Sequence, residues 1–187
     1  MLVDNLIRTY EGALSDEQCD YMVAMFEQYP ALHEEQANGP HQSLTRLNLM
    51  ASNHSPFRED IDYLANVFMA AVRKYKDDLG LEPYQFPEKF SLEAMKIKRY
   101  MPNGKESFPF HVDVNGTHNN LRFLVMFIYL TDNNKGQTTV KPKDDLFVSP
   151  CRKGSIILFP PYWPWAHQGE PPIETPKYIL GSYLQYA

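Results

Sequence analysis

Apolar residues recur at three- and four-residue intervals through two stretches of the first half of the chain. From about residue 91 they gather instead into short, strand-length runs. Ser15-Asp16-Glu17-Gln18 forms a capping box, with Ser15 as N-cap and Gln18 three residues on. Cys19, Met22, Val23 and Phe26 then fall at helical spacing, predicting a helix to about Tyr29, stopped by Pro30. Residues 31–42 carry Asn38-Gly39-Pro40 and read as a loop, and 43–50 as a strand. Ser55-Pro56 supplies an N-cap and a first-turn proline for a second helix. Its stripe is Phe57, Ile61, Leu64, Phe68, Val72, Tyr75 and Leu79, and Gly80 is its stop.

The second half predicts strands at 94–101, 110–114, 121–130, 138–141, 155–159, 165–167 and 177–186, with Gly or Pro between them. Many short strands separated by turn residues indicate a sandwich or jelly roll. Helices ahead of strands make the chain α+β, mainly β, with the helices buttressing one sheet. No repeat, low-complexity tract or second boundary interrupts it. The expectation is one domain over 1–187, with helical support in 1–90 and a β core in 91–187; 187 residues suffice for a sizeable core.

A net charge of −5 argues against a nucleic-acid partner, which needs a basic face. Cys19 and Cys151 stand in no Cys-x-x-Cys pattern, so zinc-ribbon and thioredoxin-like readings lack support. The first residues have neither the basic nor the apolar region of a signal peptide. The longest apolar run, 123–130, is only strand length, too short to span a bilayer. A soluble, cytoplasmic protein without a membrane partner is expected, of open oligomeric state.

The chemistry concentrates in His111-Val112-Asp113, His167 and Lys177. A His and an Asp two apart on a strand share a face. With a distant second His they make a 2-His-1-carboxylate triad, which binds Fe(II) and leaves coordination positions open. Each member has a plainer reading: a polar strand edge beside the Asn115-Gly116 turn, or a histidine packed among Trp163, Pro164 and Trp165. Together, in their strand context, they favour the metal. His33, His41, His54 and His118 lack such a setting. Lys177 shares a strand face with Ile179, Gly181 and Tyr183. If that face is interior, its buried cation needs an anionic partner, and a ligand carboxylate would serve. Tyr129, sharing parity with Val125 and Phe127, offers a hydroxyl to the same carboxylate; Arg122, of opposite parity, is not placed in the pocket.

These stretches resemble the Fe(II)/2-oxoglutarate-dependent oxygenases of the prolyl 4-hydroxylase family. The similarity runs through 98–102, His111-Val112-Asp113, 128–132, 153–160 and His167 to Lys177-Tyr178-Ile179-Leu180, with 14–20 resembling the family's first helix. The resemblance implies a double-stranded β-helix with helices packed outside. It implies His111, Asp113 and His167 as iron ligands, and Lys177 with Tyr129 as binders of the distal carboxylate of 2-oxoglutarate. It implies that Tyr100 lines the co-substrate pocket, that O2 is the second co-substrate, and it admits ascorbate as an accessory reductant. The stretch Lys135-Gly136-Gln137-Thr138 departs from the family's usual Gly-Gly-Glu-Thr-like segment, and Trp163-Pro164-Trp165 is unusual for it.

The substrate expected from this resemblance is a prolyl residue in a peptide or protein. Tyr162, Trp163 and Trp165 would then form an aromatic wall, as proline-rich segments dock on such surfaces; the plainer reading is that they pack the strand beside His167. Segments 31–42 and 103–108 would act as lids. A hydroxylase of a small molecule or free amino acid is the alternative; an enclosed polar pocket with an extra arginine would favour it. A silent β-barrel binding module is the third reading, set apart by lacking succinate release.

Overall fold

The computed structural model describes residues 6–37, 43–51, 55–142 and 145–187. The first helix forms where its capping box dictates. Ser15 Oγ accepts from the Gln18 N–H at 3.3 Å, and the Gln18 side chain accepts from the Ser15 N–H at 2.8 Å. Helix α1 (Asp16–Gln28) buries Cys19, Met22 and Phe26. Ser55 and Pro56 open a lead-in turn, in which the N–H groups of Phe57 and Arg58 bond back to Ser55. Helix α2 (Arg58–Leu79) therefore starts later than its sequence signal, buries Leu64, Phe68, Val72 and Tyr75, and ends at left-handed Gly80.

The strands are β1 (Arg8–Tyr10), β2 (Glu34–Ala37), β3 (Ser43–Asn48), β4 (Phe90–Leu92), β5 (Lys96–Tyr100) and β6 (Phe108–His111). They continue with β7 (Arg122–Tyr129), β8 (Asn133–Pro142), β9 (Phe147–Cys151), β10 (Ile156–Phe159), β11 (Trp165–Gly169) and β12 (Lys177–Tyr186). One sheet has the order β1-β10-β7-β12-β5-β3-β2, with β4 also on β12; the other is β6-β11-β8-β9. Every pairing is antiparallel. From β5 to β12 the chain passes repeatedly from one sheet to the other, the winding of a double-stranded β-helix.

The first half is less helical than its pattern indicates. β1 and β2 were not expected, and β2 falls in the supposed loop; both are short, partly exposed edge strands without clear alternation. β2 and β3 extend the large sheet beyond β5, so the helical-support half also supplies strands. β9 was likewise unanticipated, and β8 is longer than 138–141. The Asn38-Gly39-Pro40 turn, His41 and His54 lie outside the described residues.

Strand alternation divides the core in two. One set packs the large sheet against α1 and α2: Leu47, Ile97, Leu124, Met126, Ile128 and Leu180 meet Phe26, Leu64 and Phe68. The opposite set, including Tyr100, Val125, Phe127, Tyr129, Ile179 and Phe159, fills the space between the sheets. The helices thus stiffen one face of the sheet whose other face carries the site. None of the described helices is long and apolar enough to cross a membrane.

A single glycine fastens α1 to the sheet. Gly154 has φ +74°, and its carbonyl accepts from the N–H groups of Ala13 and Leu14. A Cβ there would stand 2.3 Å from Leu14 O. Gly154→Ala is expected to cost ~2 kcal/mol or more, lowering the melting temperature by roughly 4–8 °C. An unchanged thermal melt would mean that this contact yields freely.

Candidate active site

His111 closes β6 and lies opposite His167 of β11 in the small sheet. Their rings stand 4.3 Å apart. Asp113 does not belong to the strand; it sits in the bend beyond it. The shared strand face expected for His111 and Asp113 does not form: the loop aims this carboxylate, not strand alternation. Asn119 is buried within that loop and builds it. Its Oδ1 accepts from the N–H groups of Asn115 and Gly116, and its amide donates to the Asp113 carbonyl. The ligand-type atoms of His111, Asp113 and His167 all lie within 4.8 Å of one another. His111 Nε2 is 3.5 Å from Asp113 Oδ1, and His167 Nε2 is 3.3 Å from Oδ2.

The chemistry of this cluster suits a cation. His111 Nδ1 lies 2.8 Å from the Pro109 carbonyl and His167 Nδ1 3.2 Å from the Trp165 carbonyl. An Nδ1–H donated to a carbonyl leaves the Nε2 lone pair free, the tautomer of a metal-ligating histidine. Asp113 Oδ2 is buried with no hydrogen-bond partner. A buried orphan oxygen facing two imidazoles calls for a further group to satisfy it. Burial opposes ionisation of Asp113, yet the two imidazoles hold its carboxyl well below the usual range. Burial lowers the pKa of His111, against the pull of Asp113, favouring the neutral ring.

Lys177 lies on the interior face, 1% exposed. Its Nζ donates to the Glu170 carbonyl at 3.2 Å and stands 4.5 Å over the Tyr100 ring. Burial pulls its ammonium down to about 8; Cys151 and Glu170 oppose this, and Lys98 adds to it. Among the described residues no carboxylate comes within ion-pair distance of it. Small residues make room for its stem: a Cβ on Gly136 would lie 2.8 Å from Lys177 Cδ. Tyr129 is fully buried on the same inner side, and its hydroxyl makes no hydrogen bond. Ser149 and Thr138 lie beside that hydroxyl without closing one, and burial raises its pKa.

His111, Asp113, His167, Lys177 and Tyr100 line one pocket between the sheets. Tyr129, Trp163 and Trp165 are not among its lining residues. Trp163 is 83% exposed, and Trp165 packs on the inner core. Segment 103–108 is a tied turn: Asn103 Oδ1 accepts from the N–H groups of Lys105 and Glu106, and Glu106 accepts from the Met101 N–H. His33 stacks on Phe26 and His118 is exposed.

Arg122 is in the pocket, contrary to its parity. On β7, Leu124 pairs with Leu184 but Arg122 pairs with Gln185, so Phe123 is bulged out of register. The extra residue flips the alternation: Phe123 joins Leu124 on the helix side and Arg122 turns inward. Arg122 binds Glu93 through two nitrogens and lies 3.9 Å over the Tyr183 ring. Tyr183 donates to Asp113 Oδ1 at 3.0 Å. Alternation places it on the face of Lys177, whereas its link to Asp113 spans 70 positions of sequence. Lys98 also faces the pocket, on the same side of β5 as Tyr100.

A jelly roll holding two imidazoles and a carboxylate in one pocket with a buried ammonium has the donor set of a non-haem metal site. Residues 95–185 match the family model of the 2OG-Fe(II) oxygenase superfamily. With that superfamily go Fe(II) as metal and 2-oxoglutarate and O2 as co-substrates. The fold is similar to that of a viral collagen prolyl hydroxylase from Paramecium bursaria Chlorella virus-1, solved with 2-oxoglutarate. The identity is 18%, the coverage 97% of this chain and 96% of that one, and the TM-score 0.70. A Trichoplax adhaerens prolyl hydroxylase, solved with a hypoxia inducible factor peptide, gives 11% identity, coverage of 97% and 84%, and a TM-score of 0.76. The carbocyclase SnoK of nogalamycin biosynthesis gives 14%, coverage of 97% and 79%, and a TM-score of 0.69. At such identities these likenesses establish the fold alone. A sequence comparison with curated proteins finds no match.

Proposed function

We propose that the chain is a single catalytic unit that hydroxylates an unactivated C–H, in a prolyl residue of a peptide or protein. The observation that carries this reading is the orphaned, buried Asp113 oxygen between two imidazoles, with an unpaired ammonium in the same pocket. Prolyl hydroxylases among the structural neighbours support the choice of substrate.

His111, Asp113 and His167 would hold the iron, contributing one negative charge and leaving positions open. Fe(II), with 2-oxoglutarate and O2, supplies the oxidising power that turns C–H into C–OH as succinate and CO2 depart. The protein's own residues position and protect. Lys177 and the Tyr129 hydroxyl would take the distal carboxylate, with the Tyr100 ring flanking Lys177 at 4.5 Å. Phe127, Phe159 and Ile179 keep this region dry, which strengthens each charged contact. Tyr183 fixes the orientation of the Asp113 carboxylate. Tyr183→Phe keeps the ring beneath Arg122 and removes only the hydroxyl; Fe(II) affinity is expected to fall ~10–100-fold in an anaerobic titration.

A second reading, hydroxylation of a small molecule such as a free amino acid, draws on the polar lining that Arg122, paired with Glu93, adds to the pocket. The deciding experiment supplies protein, Fe(II) and 2-oxoglutarate with proline-containing peptides and free amino acids, then admits O2. The expected result is succinate release coupled to one added oxygen on a peptide, seen by mass spectrometry. Oxygen gained only by a free amino acid would select the second reading. No succinate under any condition would overturn both and leave a binding module.

A further inference from the structure

The pocket holds more positive charge than the proposed cofactors neutralise. Strand β5 turns Lys96, Lys98 and Tyr100 inward on alternate positions. Lys98 lies opposite Arg46 on one side and Ile179 on the other. Its ammonium stands 5.2 Å over the Phe127 ring, and Phe127 meets Tyr183 edge-on at 6.2 Å. Lys98 and Lys177 therefore border the same pocket that contains Asp113.

The neighbouring arginines are already matched. Arg46 pairs with Glu34 at 2.8 Å, and Arg122 with Glu93. Lys98 and Lys96 have no carboxylate within ion-pair distance among the described residues. Part of the Lys98 surface is wetted by the pocket, and protein encloses the rest. Burial pulls its ammonium down to about 8, with the Asp113 charge opposing. On the reading above, Fe(II), Asp113, doubly charged 2-oxoglutarate and Lys177 cancel one another. Lys98 and Lys96 remain, beside the space the primary substrate must enter.

We propose that Lys98, with Lys96 beside it, recognises a carboxylate carried by the primary substrate. The inference rests on the 2-oxoglutarate oxygenase reading and narrows its substrate to an anion. The carboxylate has two sources: an acidic residue next to the target proline, or the free carboxyl of an amino acid. Ion pairing in an enclosed, aromatic-walled pocket discriminates strongly against a neutral isostere, because an unpaired ammonium then stays buried.

The test measures equilibrium binding to protein holding Fe(II) and 2-oxoglutarate without oxygen, so that nothing turns over. The probes are the capped peptides acetyl-Glu-Pro-Gly-amide and acetyl-Gln-Pro-Gly-amide, and free L-proline against L-prolinamide. One carboxylate probe is expected to bind at least about tenfold more tightly than its amide partner. Which pair shows the preference identifies the source. Lys98→Gln should abolish the preference and Lys98→Arg should keep it. The wild-type comparison stands if the Gln variant fails to fold. Absence of any preference in the wild type overturns the proposal, as does a preference that survives Lys98→Gln. A loss confined to 2-oxoglutarate affinity in that variant overturns it too, assigning Lys98 to the co-substrate. Succinate release by the wild type tests the parent reading separately, so the two failures are distinguishable.

Discussion

Asp113→Ala is expected to lose Fe(II) binding and turnover together. The carboxylate is the cluster's one anion and lies 3.3 Å and 3.5 Å from the two imidazoles. Removing a direct ligand should exceed the ~10–100-fold cost of losing an outer partner such as Tyr183. The substitution leaves Asn119 and the backbone that it holds in place, so the fold should persist. Anaerobic iron titration followed by succinate assay checks both readouts on one sample. Retained iron with normal succinate release would remove Asp113 from the ligand set.

Lys177→Ala is expected to weaken 2-oxoglutarate affinity by roughly 10–100-fold, since a charge-assisted hydrogen bond contributes ~1.5–3 kcal/mol. The wild type should also show a pH dependence that the variant lacks. Burial sets the Lys177 ammonium near 8, among Cys151, Glu170 and Lys98. The dianion prefers the protonated form, so affinity stays level below that pH and declines above it, by up to tenfold per pH unit. Co-substrate titrations across this range check it. Parallel pH profiles in wild type and variant would place the anchoring charge elsewhere.

Much of this was legible along the chain, because strong local patterns decided it. The capping box at Ser15 and the apolar stripe from Leu64 to Tyr75 produced the helices they indicate. Alternation put Lys177 and Tyr183 on one shared face, and the assembled sheets make that face the inner one. What escaped was set by contacts distant in sequence. β1 and β2 exist because an edge of the large sheet was available to pair with, not because their residues alternate. Asp113 is aimed by Asn119 through a loop, a device that carries no periodic signal. Lys98 had a legible clue, its shared parity with Tyr100 on β5, but only the assembled pocket shows that it stands without a counter-charge.

The slipped residue at Phe123 has an evolutionary corollary. Smoothing the bulge without changing the length of β7 would turn Phe123 into the cavity in place of Arg122, while His111 and His167 stay on β6 and β11 and Asp113 on its own loop. A lineage built on this scaffold could thereby change what it accepts without disturbing the machinery that does the oxidation. Diversification of appetite and preservation of chemistry are assigned to different strands.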